Sequence, residues 1–375
     1  MVDSDGLYPR DRLDRARQAA ATAGIDVLLL TPGADLRYLT GYAALPLERL
    51  TCLAVPASGE PVLVVPELER PAALASPAAR LGIDIVGVGE TGDAYATVAD
   101  RVRAALGREP ARVAVANRMW AEQEMRFRSA LPAAEHQLAG EVMRRLRIRK
   151  TVAEVAALRR AGEAIDRVHE RIGEWLRPGR TEREVGRDIA QAILDEGHAA
   201  VNFVIVGSGP NGASPHHDTG SRTIEAGDPV VVDIGGTTAD GYCSDETRTY
   251  VVGTPPRDFA DYYAVLQEAQ EAACAAVRPG VSAASIDRAA RQVIDAAGYG
   301  AYFVHRTGHG IGLEEHEDPY VVDGNEELLA PGMCFSIEPG IYLPGRHGAR
   351  IEDIVAVTDD GVDRLNVVRR DLVTL

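Results

Sequence analysis

The chain has 375 residues, 46% of them hydrophobic, and a formal net charge of -16, which is more than one domain of roughly 150 residues and predicts two or three. The excess of acid excludes nucleic acid and anionic membrane as principal partners, because both would repel the surface. No apolar run approaches the roughly 20 residues that span a bilayer. The charged opening "MVDSDGLYPRDRLDRARQAA" lacks the apolar core of a signal peptide. Cys52, Cys243, Cys274 and Cys334 form no CxxC pair, a pattern of reduced thiols that points to a soluble, cytoplasmic protein.

In chain order, "RDRLDRARQAAATAG" has helical spacing and "IDVLLLT" reads as a buried strand. "TCLAVPASGEPVLVVP" reads as a hairpin around Ser58 and Gly59, and "RVAVAN" as a further strand. This order predicts a small α/β domain over residues 1–143, with a second domain over 144–375. The basic run "RRLRIRK", residues 144–150, reads as a solvated hinge between them.

Beyond the hinge, Thr151 with Glu154 and Thr181 with Glu184 have the spacing of capping boxes, each opening an amphipathic helix. The strands "VNFVIVG", "PVVVDIGG" and "TRTYVVG" follow, and then the order recurs. "LRPGRT" at 176–181 returns as "VRPGVS" at 277–282, each opening a helix that ends in glycine, Gly197 or Gly298. "GDPVVVDIG" at 227–235 aligns with "GMCFSIEPG" at 332–340, so Asp233 corresponds to Glu338. A second acid follows in each half, Asp245 and Glu352. The pattern predicts two helix-helix-sheet halves related by a pseudo-twofold axis.

Apolar strands that end in an acid are costly in a core unless the carboxylate is paired. Arg248 and Arg350 are available as partners, but cations between the four acids would also account for a histidine among them. "VHRTGHGIGLEEHEDPY", residues 304–320, holds Gly308, Gly310 and Gly312, so it reads as bent or extended backbone that delivers His309 rather than as a helical zinc site. Four carboxylates and one imidazole exceed the needs of one tetrahedral zinc. They suit two divalent ions roughly 3.5 to 4 Å apart, whose shared water becomes a hydroxide nucleophile near neutral pH. The oxygen-rich set favours manganese, with cobalt, zinc or iron as alternatives. "GSGPNG", 207–212, fits a dinucleotide loop by its letters only, because Pro210 lies inside it and no helix signal follows.

The runs "VVDIGG", "GYCSDETRT", "RTGHGIGLEEHEDP", "SIEPGIY" and "ARIED" resemble, in order, the metal-binding motifs of the methionine aminopeptidase and prolidase superfamily, the pita-bread metallopeptidases. The first domain, with "LRYLTGY", is similar to the creatinase-like domain of the prolidase and aminopeptidase P branch. The resemblance implies that Asp233 and Asp245 bind one metal, that His309 and Glu338 bind the other, and that Asp245 and Glu352 bridge. It also implies that His216 and His316 assist at the scissile carbonyl, that Glu338 shuttles the proton, and that His305 and Arg350 line the proline and carboxylate end of the pocket. The expected activity is hydrolysis of Xaa-Pro dipeptides by a homodimer, with aminopeptidase P action on longer peptides as the alternative and a metal-free creatinase-like hydrolase behind it. One departure is that "DIGGTTADGYCSD" is a residue longer than the commonest family spacing, which places Asp240 as a rival ligand and the extra residue in a hairpin turn.

Overall fold

The structure, a computed structural model, describes residues 6–375; the first five residues of the charged opening stretch lie outside it. The chain divides between Arg147 and Ile148. Among the described residues no helix is long and apolar enough to cross a membrane.

The first unit is built on a mixed six-stranded sheet in the order Asp84–Val88, Val62–Pro66, Cys52–Pro56, Val27–Leu30, Arg112–Val115, Glu135–Leu138. The expected hairpin pairs Cys52 with Val64 and Ala54 with Val62, in antiparallel register. Gly59 turns it at φ 92°, a conformation open to glycine. Leu29, Val64, Val98, Val113 and Phe127 close the core against the helices Ala94–Leu106 and Ala121–Ala130.

The division falls inside the basic run, but the run is only partly solvated. Its first four residues finish the helix Gly140–Arg147, and Lys150 is buried, its Nζ 2.7 Å from Glu317 Oε1. A buried ammonium needs such a partner, and this one lies 167 residues away along the chain.

In the second unit both capping boxes form, on the helices Val152–Glu170 and Glu182–Asp195. The duplication extends to the backbone. Gly179 N–H donates to the Ile224 carbonyl, Glu182 to Arg222 and Arg183 to Gly220. In the second half Gly280 donates to Leu329, Ala283 to Glu327 and Ala284 to Asn325. Every donor stands at one constant offset from its counterpart, and so does every acceptor. The second half's helices are Phe259–Ala276 and Ala283–Ala296.

Each half contributes an antiparallel strand pair. Pro229–Thr238 pairs with Glu246–Val251, and Cys334–Ile337 pairs with Asp353–Val357. The two halves differ at their first acid. The strand carrying Asp233 does not end there but runs on to Thr238, because Gly235 and Gly236 allow the Ser244 and Ala200 carbonyls within 2.5 and 2.7 Å of where a Cβ would stand. In the second half the strand ends at Ile337, just before Glu338 and Pro339.

Candidate metal centre

Asp245 immediately precedes the strand Glu246–Val251, and Glu352 immediately precedes Asp353–Val357, so the repeat delivers both acids from equivalent positions. Asp233, Asp245, His309, Glu338 and Glu352 all line one cavity of ≈ 660 Å³, together with His216, His305, His316 and Arg350. The structure thus brings together the nine side chains to which the resemblance gives a role in the site. Asp240 stays in the hairpin turn, where its carboxylate meets Arg160 at 2.9 Å.

The glycine run works by close approach. A Cβ on Gly308 would sit 1.8 Å from the Ser336 carbonyl, one on Gly310 2.3 Å from the Asp318 carbonyl, and one on Gly312 2.6 Å from Glu317 Oε1. Gly308–Gly310 forms a short strand between Glu317–Val321 and Cys334–Ile337. His309 is thereby held with Nδ1 3.1 Å from the Gly310 carbonyl. A carbonyl only accepts, so Nδ1 carries the proton and Nε2 presents a lone pair. Burial holds the imidazole pKa at about 4, which leaves it neutral near pH 7.

That lone pair faces Glu338 Oε1 at 3.2 Å and Asp245 Oδ2 at 3.6 Å. One ligand atom each of Asp245, His309 and Glu352 lies within 4.8 Å of the others. Asp245 and Glu352 have pKa values raised well above the carboxylate range, first by burial and then by the neighbouring carboxylates. Asp233 Oδ1 and Glu352 Oε1 are buried with no hydrogen-bond partner among the described residues. Acceptors of Asp245, His309 and Glu352 grouped this closely, with orphaned carboxylate oxygens in the same cavity, fit a divalent cation; a neutral network would need donors there.

The acids are held from behind. Ser336 Oγ donates to Glu338 Oε1 (2.9 Å) and Thr247 Oγ1 to Glu352 Oε2 (2.7 Å). Arg350, one of the two arginines considered as partners, does pair with Asp233, Nη2 to Oδ2 at 2.5 Å. It also donates to Thr247 Oγ1, the Pro215 carbonyl and the Tyr342 hydroxyl. The other, Arg248, serves the next residue in each half, Glu246 at 2.9 Å and Asp353 at 2.7 Å. Adjacent acids on the two strands therefore part, one to the cavity and one to a buried arginine.

The histidines take different environments. His316 is exposed on the wall, its ring centroid 3.9 Å from that of His309. His216 is exposed beside it, whereas His217 is tied to Glu182 Oε2 at 2.8 Å. His305 lies on the wall with both nitrogens engaged: Nδ1 donates to the Arg306 carbonyl (2.7 Å), and Nε2 accepts from the Tyr342 hydroxyl (2.9 Å). It therefore offers the cavity a ring, with no free N–H. Sequence reasoning passed over Thr247, Ser336 and Tyr342. The first two were within reach, since each stands two residues from an acid already singled out, on a strand of period two; Tyr342 gave no such signal.

Residues 156–359 match the model of metallopeptidase family M24, and residues 12–149 match that of the creatinase/prolidase N-terminal domain. The probable dipeptidase PepE of Mycobacterium tuberculosis is 52% identical over 98% of this chain and 97% of its own length. An Xaa-Pro dipeptidase of Lactobacillus delbrueckii subsp. lactis is 35% identical over 97% of this chain and 98% of its own. The crystal structure of dipeptidase PepE from Mycobacterium ulcerans superposes with a TM-score of 0.90 at 53% identity, covering 97% of each chain.

Proposed function

The chain belongs to metallopeptidase family M24, and from that premise we propose that it hydrolyses the Xaa-Pro bond of dipeptides. The observation that carries the reading is the cavity whose wall holds four carboxylates and the His309 lone pair, with Asp233 Oδ1 and Glu352 Oε1 buried and without a hydrogen-bond partner among the described residues. The proline substrate is supported by the full-length similarity to the Lactobacillus protein named Xaa-Pro dipeptidase.

In this reading Asp233, Asp245, His309, Glu338 and Glu352 hold two divalent cations, manganese first because the donors are mostly hard oxygens. Divalent cations held there supply Lewis acidity and lower the pKa of water. The chain's own groups do the rest. His309 keeps its proton on Nδ1 and its lone pair on the cavity. Glu338 Oε2, which has no partner among the described residues, takes the proton from the attacking water and returns it to the proline nitrogen. That nitrogen, a tertiary amide in the substrate, carries no proton of its own. His216 and His316, exposed on the wall, donate towards the scissile carbonyl. His305 packs its ring against the pyrrolidine, and Arg350 has one N–H left for the carboxylate beyond it.

We further place the protein in the cytoplasm as a homodimer; the four buried, unpaired cysteines fit a reducing compartment. The deciding experiment measures turnover of Xaa-Pro dipeptides against Xaa-Pro-Yaa tripeptides, with chelated and manganese-reconstituted enzyme. Dipeptide cleavage that vanishes with chelator and returns with metal is expected. Faster tripeptide cleavage, or turnover that ignores chelator, overturns the reading.

A further inference from the structure

Two arginines line the cavity, and they are in opposite states. Arg350 has four of its five N–H donors engaged, on Asp233, Thr247, Tyr342 and Pro215. Arg306 is half-buried, and among the described residues its guanidinium makes no hydrogen bond or ion pair. It lies over the Tyr320 ring, 4.6 Å from the centroid. Tyr320 in turn stands opposite His309 in the strand register. The cation is therefore held in place by a π face, its hydrogen-bonding fork uncommitted.

His305 and Arg306 are neighbours in sequence but go to different walls. His305 joins Tyr342 at the Arg350 side. Arg306 goes to Tyr320 at the His309 side, where its charge also weighs on His316. With proline and its carboxylate at His305 and Arg350, as the proposed function has it, Arg306 faces the residue on the other side of the scissile bond. The other acids on the wall do not neutralise it: Glu315 is bonded to Asn202, and Asp218 is exposed and suits the substrate's α-ammonium.

We propose that Arg306, laid on Tyr320, selects an acidic side chain at the first residue of the dipeptide, taking its carboxylate in a bidentate pair. The inference rests on the Xaa-Pro reading and deepens it. Glutamate and glutamine differ in charge at almost constant shape, so Glu-Pro and Gln-Pro isolate the effect.

The test compares kcat/KM for these two dipeptides in full-length, manganese-loaded wild type, Arg306→Gln, Arg306→Lys and Tyr320→Leu. The wild type is expected to favour Glu-Pro by about tenfold, the scale of one hydrogen-bonded charge pair. Arg306→Gln is expected to bring the ratio to about one, with the lysine and Tyr320→Leu variants in between. A wild type without preference, or an Arg306→Gln variant that retains it, overturns the inference while leaving the Xaa-Pro reading intact. So does an Arg306→Gln variant that loses discrimination between a free proline carboxylate and its amide, because that puts the arginine at the other end. A wild type that cleaves no Xaa-Pro dipeptide defeats the parent reading and the inference with it.

Discussion

His309 Nε2 faces Glu338 Oε1 across 3.2 Å, acceptor to acceptor. The imidazole proton is committed to the Gly310 carbonyl, and burial keeps a second proton off the ring. Ser336 Oγ satisfies one lone pair of the carboxylate, but no donor among the described residues lies between the two acceptors. The metal-free site is thus electrostatically unfavourable by construction.

Glu338→Gln relieves this contact, because the amide can donate to His309 Nε2 where the carboxylate cannot. A net gain of about 1 kcal/mol corresponds to a rise of roughly 2–4 °C in Tm for a unit of this size. Turnover and stabilisation by added manganese are expected to be lost together. Calorimetry of the metal-free and metal-loaded variant checks both; a metal-dependent Tm shift equal to that of the wild type removes Glu338 from the ligand set.

Metal uptake should release protons. Asp245 and Glu352 hold theirs well above the ordinary carboxylate range, through burial and mutual repulsion, and a cation displaces them. Affinity is therefore expected to fall as pH falls, since protonation of these acids competes with the cation. Titration calorimetry in buffers of different ionisation enthalpy counts the protons. A count of zero, with an affinity that does not change with pH, contradicts the raised values.

Gly308→Ala tests the reading of the glycine run. Its Cβ would lie 1.8 Å from the Ser336 carbonyl, so the strand carrying His309 has to move away from the one leading to Glu338. A loss of about 1–3 kcal/mol and of manganese binding is expected. Gly89→Ala, whose Cβ would have no atom of the described residues within 4 Å, serves as the control and should leave Tm near the wild-type value.

What was legible in the sequence follows a physical division. The capping boxes of Thr151 and Thr181 are local, and both form as spaced. The duplication was legible because equal offsets in sequence became equal backbone hydrogen bonds, which is why Asp245 and Glu352 arrive at matching strand starts. Contacts across long separations were not legible. Lys150 gave no hint of its burial against Glu317. Arg350 was available to pair with one of the acids, but nothing showed that Thr247, Tyr342 and Pro215 would take its other donors, or that both nitrogens of His305 would be occupied. Composition says where a charge is, but its partner is set by the fold.

Acid sensitivity should come in part from a histidine remote from the cavity. His169 is fully buried between the Tyr250 hydroxyl (2.9 Å) and the Glu246 carbonyl (3.3 Å). Burial first, then the charge of Arg248, depresses its pKa to about 3. The folded chain keeps it neutral where the unfolded chain, with an ordinary value of about 6.5, binds a proton. Its contribution is therefore fully present above about pH 6.5 and is lost as pH falls from there towards 3, with a slope set by that one extra proton in the unfolded state. His169→Gln is expected to lower stability at pH 7.5, where the native ring packing and hydrogen bonds are lost, yet to flatten the dependence between about pH 6.5 and 4. Urea unfolding of wild type and variant across that range measures it, and parallel curves would assign the acid sensitivity to other groups.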